Sequence, residues 1–398
     1  GCWSRALSRL GLLCLLLPLA AETQRDGEQA LAEKRVEAAA ETSEVNNLRP
    51  LVVSALRVPR AAELVNSSLN VLVPARMFDE GHWQLRDALN QVPGVVSVST
   101  AGQQGAVGSL NIRGLTTRYS QVCVDGVRLD PSMQLGNVLS AARVGDLGHV
   151  ELLRGMQGAA YGGEAAGAVL WLETPQGRGA ARSEASVEAG SFGSLMGQWS
   201  TQGESRGTGY FLSVGHEITQ NDGAALDYEQ SRIALRLDAT LSDVWSWTGS
   251  VWAAQNESQQ NDPSTTGATL DAVEMLLLSS QWRGQHHVGW ISRLSTGFQQ
   301  ERYDSDYSGG TYGTDVQSGS VAWDEEWHLT KQIMLLSGVF AQRTEYDNTI
   351  GAHVLENRYG AHANVEWQIE DSLTAQCGGR WEDHAAFGQE TTWRSGWV

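Results

Sequence analysis

A chain of 398 residues is long enough for two domains, and 46 acidic against 28 basic residues give it a formal net charge of −18. This acidic balance disfavours nucleic acid as a partner, because phosphate backbones are bound by basic patches. Glycine is frequent at 44 residues and proline is rare at 8, a composition typical of strands joined by turns.

The first residues have the features of an export signal. Arg5 and Arg9 supply a positive end, residues 10–19 form an apolar core, and Ala20-Ala21 provide small residues for cleavage. A membrane anchor is the alternative, but an apolar stretch of about ten residues is too short to cross a hydrocarbon core of ~30 Å. We therefore predict a signal peptide at residues 1–21 and an exported protein.

A linker with a partner-binding segment follows the signal. Residues 22–47 are rich in Ala, Glu, Gln and Arg and have little apolar periodicity, which is typical of a flexible linker. A β-prone segment comes next and comprises Leu51, Val52, Val53, Ser54 and Ala55. Such a segment suits the addition of a strand to a partner, because main-chain hydrogen bonds carry that binding. The alternative is the first strand of the folded domain. We assign residues 22–55 to the linker with this segment.

Residues 56–177 predict a compact mixed α+β domain. Leu85, Leu89 and Val92 recur at helical spacing, and Pro93 ends the helix. Short apolar runs separated by glycine-rich turns predict strands at residues 110–112, 122–124 and 150–153.

From residue 183 to residue 398 the chain has the pattern of a transmembrane β-barrel. Segments of roughly ten residues alternate in polarity, as in Ile233 and Leu235 against Arg232 and Arg236. Twelve of the 15 tryptophans lie beyond residue 182, as aromatic girdles at the membrane surfaces require. No later stretch suits a transmembrane helix, so any insertion would be by strands. A soluble β-sandwich also alternates, but it does not readily account for this tryptophan load.

The connections between these segments alternate between two kinds. Short ones are predicted near residues 204–208, 240–244, 283–286, 329–332 and 370–372. Long polar ones are predicted near residues 218–229, 256–271, 300–315 and 346–357. This asymmetry indicates short periplasmic turns and long extracellular loops, with about eleven strands up to Phe387.

Five motifs occur in order between residues 50 and 175. They are Arg86-Asp87-Ala88-Leu89 with Pro93-Gly94-Val95, Asn111-Ile112-Arg113-Gly114, Val124-Asp125-Gly126-Val127, Glu151-Leu152-Leu153-Arg154-Gly155, and Tyr161-Gly162 with Ala166-Gly167-Ala168-Val169. In these motifs the chain resembles the TonB-dependent outer-membrane receptor family. Met156 stands where the family usually has proline and Ala168 where it usually has a second glycine, while the charged motif residues are kept.

The resemblance implies a membrane β fold, in which a small mixed α+β plug domain is followed by an antiparallel transmembrane β-barrel. Family barrels have 22 strands, so a count of about eleven implies a barrel truncated at about half. A first residue Gly1 in place of methionine agrees with a fragment.

The resemblance also implies a lock between plug and barrel. Its residues would be Arg113, Gly114, Glu151, Arg154 and Gly155. In the family such arginines pair with barrel glutamates, and a glycine after each arginine lets the backbone approach closely. Local pairing of Arg154 with Glu151 or Asp125 is the alternative.

One predicted long loop holds the candidate ligand surface. Its residues are Tyr303, Asp304, Asp306, Tyr307 and Tyr312. Aromatic rings flanked by carboxylates can stack on a planar ligand or take a calcium ion. A merely solvated loop is the alternative. No motif predicts a catalytic site, a cofactor or a metal centre, and nothing in the sequence specifically supports calcium in this loop.

The resemblance implies TonB-dependent transport of a scarce nutrient complex across the bacterial outer membrane. The cargo would be an iron–siderophore, haem or cobalamin. The partners would be TonB of the inner-membrane complex, outer-membrane lipid and this small-molecule metal chelate or cobalamin, and no nucleic acid. The segment at residues 51–55 would be the TonB box. The alternative is a plugged surface-binding protein or adhesin without energised transport.

Overall fold

The computed structural model describes residues 51–52, 58–99, 104–105, 108–133, 135–222, 226–261, 268–307, 309–370 and 372–398. The predicted signal peptide, residues 22–50 of the linker, and Val53, Ser54 and Ala55 lie outside these ranges. No helix among the described residues is long and apolar enough to cross a membrane.

The first part of the described chain is a small α+β unit, which we call the plug. Its strands are β1 (Leu51–Val52), β2 (Arg60–Ala61), β3 (Ser68–Leu72), β4 (Val95–Ser99), β5 (Gly108–Ile112), β6 (Ser120–Val124), β7 (Val127–Arg128), β8 (His149–Arg154) and β9 (Ala168–Glu173). Its helices are α1 (Pro74–Asp79), α2 (Leu85–Leu89), α3 (Leu135–Ala141) and α4 (Gly158–Tyr161), with 3-10 turns at Ala62–Leu64, Thr117–Tyr119, Val144–Asp146 and Gly163–Ala166. The main sheet has the order β3-β8-β9-β6-β7, and only β6 and β9 run parallel.

The predicted helix is confirmed, and its apolar side forms part of the plug core. Leu85 and Leu89 of α2 are buried, and so is Val92 just beyond the helix. The chain then turns at Pro93 and Gly94, where a φ of +79° suits glycine. The same apolar cluster reaches inner residues of the second sheet, including Trp252, so the plug core continues into the wall.

The second part is one antiparallel sheet of twelve strands whose order follows the chain. They are β10 (Arg182–Ala189), β11 (Leu195–Ser205), β12 (Thr208–Thr219), β13 (Tyr228–Thr240), β14 (Trp245–Asn261), β15 (Ala268–His287), β16 (Trp290–Tyr307), β17 (Gly310–His328), β18 (Ile333–Asn348), β19 (His353–Glu370), β20 (Leu373–His384) and β21 (Gly388–Trp397). Eleven of them end before Phe387, as predicted, and a twelfth follows.

Four of the predicted short turns are confirmed and one is misplaced. The structure has turns where residues 204–208, 240–244, 329–332 and 370–372 were predicted. The turn predicted at 283–286 is wrong, because β15 continues to His287 and the turn lies at 288–289. Gly284 is a strand residue, and a Cβ there would lie 2.8 Å from the Trp245 ring.

Two predicted long loops are mostly strand. Within residues 300–315, β16 runs to Tyr307 and β17 begins at Gly310. Within residues 346–357, β18 runs to Asn348 and β19 begins at His353. A strand needs only about 9–11 residues to span the membrane, whereas β15 has 20. The ladders therefore continue as hairpins beyond the hydrocarbon, where both faces are polar and the alternation signal disappears.

Candidate functional site

A buried ion pair attaches the plug to β12 and β13. Arg143 follows α3, and its Nε donates to Glu217 Oε2 over 3.0 Å. Its Nη2 donates to the second oxygen of Glu217 and, over 3.1 Å, to Tyr228 Oη. Burial opposes the charged form, but Tyr228 and Glu217 outweigh it and raise the pKa of Arg143 above its ordinary value. The bidentate geometry suits a guanidinium fixed between two elements.

A second buried pair lies one turn further along the plug. Arg232 of β13 donates from Nε to Asp146 Oδ2 over 2.7 Å, and both side chains are almost fully buried. Ser213 of β12 donates to the other oxygen of Asp146 over 2.6 Å. Arg232 is one of the polar residues that the alternation in β13 predicted on a common face, and that face meets the plug.

The plug carboxylate of Asp130 is surrounded by neutral donors from neighbouring wall strands. Oδ2 accepts from Gln342 Nε2 over 2.6 Å, from Ser318 Oγ over 3.3 Å and from Thr344 Oγ1. The main-chain N–H of Asp130 donates to Gln299 Oε1 over 3.0 Å. Side chains of β16, β17 and β18 thus all form hydrogen bonds with this one plug residue.

A third charged contact joins the plug to the last strands. Arg358 of β19 donates to Glu164 Oε1 over 2.6 Å. Burial raises the pKa of Glu164, but Arg358 and Arg128 outweigh it, so the net direction is downward. Nearby, the guanidinium groups of Arg128 and Arg380 lie 5.0 Å and 4.2 Å from the ring centre of Phe340. The plug is therefore held by polar and cationic contacts on several sides.

The predicted lock arginines are placed together but away from the wall. Arg154 donates to the Pro93 carbonyl and over 2.5 Å to Asn70 Oδ1, both within the plug. Burial and the neighbouring Arg113 lower the pKa of Arg154. Arg113 makes no side-chain hydrogen bond or ion pair within the described ranges. Neither arginine meets the twelve-stranded sheet there, so pairing with barrel glutamates stays a prediction.

The other predicted lock residues have local roles in the structure. Gly114 and Gly155 have φ values of +83° and +116°, which glycine adopts without strain. Glu151 is buried in β8, and His149 Nε2 lies 2.6 Å from its Oε1. This hydrogen bond raises the pKa of His149 above its ordinary value. The structure thus pairs Glu151 with His149, while the hydrogen bonds of Arg154 go to Pro93 and Asn70.

The predicted TonB box is only partly described. Leu51 and Val52 form β1, which pairs antiparallel with β2 through the partners Leu51 with Ala61 and Val52 with Arg60. The backbone of these two residues is therefore extended. Their ladder uses one edge of the segment, and this geometry is compatible with pairing by main-chain hydrogen bonds.

Strand alternation separates the predicted ligand residues into two sets. Tyr303 and Tyr312 are half-buried on the inner face, with Tyr303 Oη 3.0 Å from Asp271 Oδ1 and Tyr312 Oη 3.3 Å from Tyr346 Oη. Tyr307 has the parity of Tyr303 at the exposed tip. Asp304 and Asp306 have the opposite parity and are exposed. The tyrosines and aspartates do not form one cluster, because neighbouring residues in a strand point to opposite faces.

A different group comes closest to a metal site in the part of the chain that the structure describes. Potential ligand atoms of Glu345, Asp347 and His353 lie within 4.8 Å of one another near the tip of the β18–β19 hairpin. The group is exposed, and imidazole is a poor ligand for calcium, which prefers oxygen. The aspartates of the β16–β17 hairpin do not form such a group, so calcium there stays without support.

Comparison with known proteins points to the same family as the five motifs. The TonB-dependent Receptor Plug Domain family matches residues 62–169, which is the region of the five motifs. The vitamin B12 transporter BtuB of Vibrio vulnificus is 22% identical over 375 residues, covering 89% of this chain and 60% of its own length. The corresponding transporter of Photobacterium profundum is 22% identical over 366 residues, covering 86% and 58%. The chain carries the plug domain of the TonB-dependent receptor family.

Solved structures share the fold of this receptor. The ferripyoverdine receptor of the Pseudomonas aeruginosa outer membrane aligns with a TM-score of 0.72 at 14% identity, covering 88% of this chain and 55% of its own. The ferric yersiniabactin uptake receptor FyuA from Yersinia pestis aligns with a TM-score of 0.66 at 16% identity, covering 86% and 62%. The chain therefore spans about 60% of the length of the relatives it matches. Its place is the bacterial outer membrane, and the family consists of transport receptors.

Reasoning from the sequence missed Arg143, Asp146, Asp130 and Glu164 as docking residues. A usable signal existed on the wall side, because alternation assigns Glu217 and Arg232 to the plug-facing side of their strands. A charge on that side requires a partner across the interface. The identity of the plug partner depends on the tertiary fold and is not encoded in a local pattern.

Proposed function

We propose that the protein carrying this chain takes up a scarce nutrient complex across the outer membrane with energy supplied through TonB. The observation that carries the proposal is a plug held inside a strand wall by buried polar and ionic contacts, with an extended segment ahead of it. An apolar cluster also joins the plug to the wall, but the polar contacts beside it exchange for water more readily than apolar packing does. A plug docked in this way can be displaced by force and can return.

Cobalamin is the cargo to test first. Two relatives that align with most of this chain are named vitamin B12 transporters. Ferric siderophores are the second candidate, since the names of two structural neighbours refer to ferripyoverdine and ferric yersiniabactin. Haem is the third cargo that the family resemblance suggests. The inner-face tyrosines Tyr303 and Tyr312 offer rings and hydroxyls to any of these ligands.

The coupling step of the proposal is strand exchange at the TonB box. The backbone of Leu51 and Val52 is paired with β2, and cargo binding would free this segment for TonB. TonB then adds to it by main-chain hydrogen bonds. A pull on residue 51 is transmitted to β3, which is an edge strand of the plug sheet and is paired only with β8.

The test is cobalamin uptake by cells that express the natural full-length protein with Val52→Pro. Proline removes the backbone donor at this position and blocks strand pairing. We expect energised uptake to fall to the level of cells lacking TonB, while cobalamin binding to outer membranes stays near wild type. Val52→Thr is the matched control, because it keeps the N–H and the β-branched shape.

The outcomes separate the two function classes. Normal uptake by the proline variant would show that the box is misassigned or that transport is passive. Binding without any TonB-dependent uptake in wild type would favour the surface-binding alternative. If neither variant binds cobalamin, the same pair of variants is assayed with ferric siderophores as the cargo.

A further inference from the structure

An acidic side chain lies on the membrane-facing side of the sheet, near the end that carries the turn at residues 241–244. Asp324 of β17 is buried on the inner side, so alternation turns Glu325 outward. Two indole groups hold this carboxylate. Trp290 Nε1 donates to Oε2 over 2.6 Å, and Trp323 Nε1 donates to Oε1 over 2.7 Å.

Residues of the adjacent strands complete the setting of Glu325. The hydroxyl of Ser292, which is buried, lies 2.9 Å from both carboxylate oxygens. His286 Nε2 lies 2.9 Å from the same hydroxyl. Gly284 leaves the space that the Trp245 ring occupies, and this ring lies 5.5 Å from the His286 ring, edge to face. The carboxylate is therefore held by two indole N–H groups and a buried hydroxyl on β16 and β17.

An apolar groove of about 380 Å³ adjoins this carboxylate. Its lining includes Leu241, Trp245, Trp282, Leu294 and Trp323. Trp323 belongs to both features, since its N–H binds the carboxylate while its ring lines the groove. The site thus combines one negative charge with an apolar channel on the surface that faces lipid.

The charge on Glu325 has no positive partner in the described ranges. The two indole N–H groups and the hydroxyl that donate to it are neutral, and none of the ion pairs between described residues includes it. The nearest imidazole, His286, reaches it only through Ser292. A carboxylate at a membrane surface is costly without a counter-charge, so an external cation is favoured there.

We propose that Glu325 and the rings of Trp290 and Trp323 bind the ammonium headgroup of a phospholipid, with an acyl chain in the adjoining groove. Tryptophan is the strongest aromatic partner of an ammonium group. The two indoles are 39% and 51% exposed, which leaves ring surface for this contact. Leu241 and Leu294 offer apolar surface to the chain. A headgroup that carries no cation would leave the negative charge of Glu325 uncompensated.

The experiment measures lipid retention by the full-length protein purified in detergent. Native mass spectrometry is run with added phosphatidylethanolamine or phosphatidylglycerol at equal concentration. We expect wild type to bind the ethanolamine lipid about tenfold more tightly, as expected for one charge-assisted contact. Glu325→Gln should abolish this preference. The double change Trp290→Phe with Trp323→Phe replaces each indole by a phenyl ring, removes both N–H donors and should reduce the preference.

Glu274→Gln is the matched control. Glu274, on β15, lies on the same side of the sheet as Glu325 but toward the other end of the strands. Its carboxylate is paired with Arg302 over 3.6 Å. This change should leave the lipid preference intact, and heat-modifiable gel migration confirms that each variant is folded. Equal binding of both lipids by wild type would show that the site has no headgroup preference and is an ordinary aromatic belt. That result would overturn the proposal. A preference that survives Glu325→Gln would overturn it as well.

Discussion

At the scale of residues, docking of the plug depends on charges that the wall cannot neutralise by itself. Glu217 on β12 and Arg232 on β13 face inward with almost no exposure to water. Each finds its opposite charge on the plug, in Arg143 and Asp146. The two pairs lie side by side. Loss of one partner of a pair leaves the other charge buried without its counter-ion, which costs more than the pair contributes.

Arg143→Met tests this account. Removing the guanidinium takes the bidentate partner from the buried carboxylate of Glu217, for which the expected loss of stability is about 3–5 kcal/mol. We expect the plug of this variant to become sensitive to trypsin at lower urea concentration than wild type. The double variant Arg143→Met with Glu217→Met should recover much of the loss, because neither member of this ion pair is then left buried without the other. A double variant as weak as the single one would contradict this account.

At the scale of elements, the alternation of apolar and polar residues predicted the wall strands correctly only where contact with lipid requires that alternation. Inside the membrane one face must be apolar, so β13 was recognisable from Ile233 and Leu235 against Arg232. Beyond the membrane both faces are polar, and the strands of the 300–315 region look like a loop. Long-range pairing is the other limit: Asp130 meets residues more than 160 positions later, which no local pattern specifies.

The β16–β17 hairpin can be shortened without changing its register. Asp304 pairs with Gly313, and Tyr303 pairs with Thr314. Deletion of residues 305–312 joins Asp304 to Gly313, and Asp-Gly is a favoured two-residue hairpin turn. The variant loses Tyr307 and Tyr312 but keeps Tyr303.

We expect this variant to assemble normally, because tips beyond the membrane tolerate change. Its binding of cobalamin should weaken, since two of the three tyrosines of the hairpin are gone. Assembly is measured by heat-modifiable migration of outer-membrane samples, and binding by retention of labelled cobalamin. Full binding would exclude this hairpin from the ligand surface, whereas loss of assembly would show that the tip is part of the wall.

At the scale of the whole molecule, the twelve strands form a sheet whose first and last members are each paired along one edge. β10 pairs with β11 and β21 pairs with β20, and β10 and β21 do not pair with each other. In lipid every unpaired backbone group costs several kcal/mol. The hydrogen bonds of Arg154 likewise stay within the plug and do not reach this sheet.

Residues 22–398 expressed by themselves should therefore fail to give a stable outer-membrane species. Two open strand edges favour pairing between copies, so we expect aggregation or degradation after refolding into detergent. The measurement is migration on gels with and without heating, combined with protease digestion. Addition of an excess of a peptide that matches the β21 edge is a useful control, because edge capping should reduce aggregation if the edges cause it. A compact, protease-resistant monomer that forms a closed channel in bilayers would contradict the prediction, because such a species requires the two edges to meet.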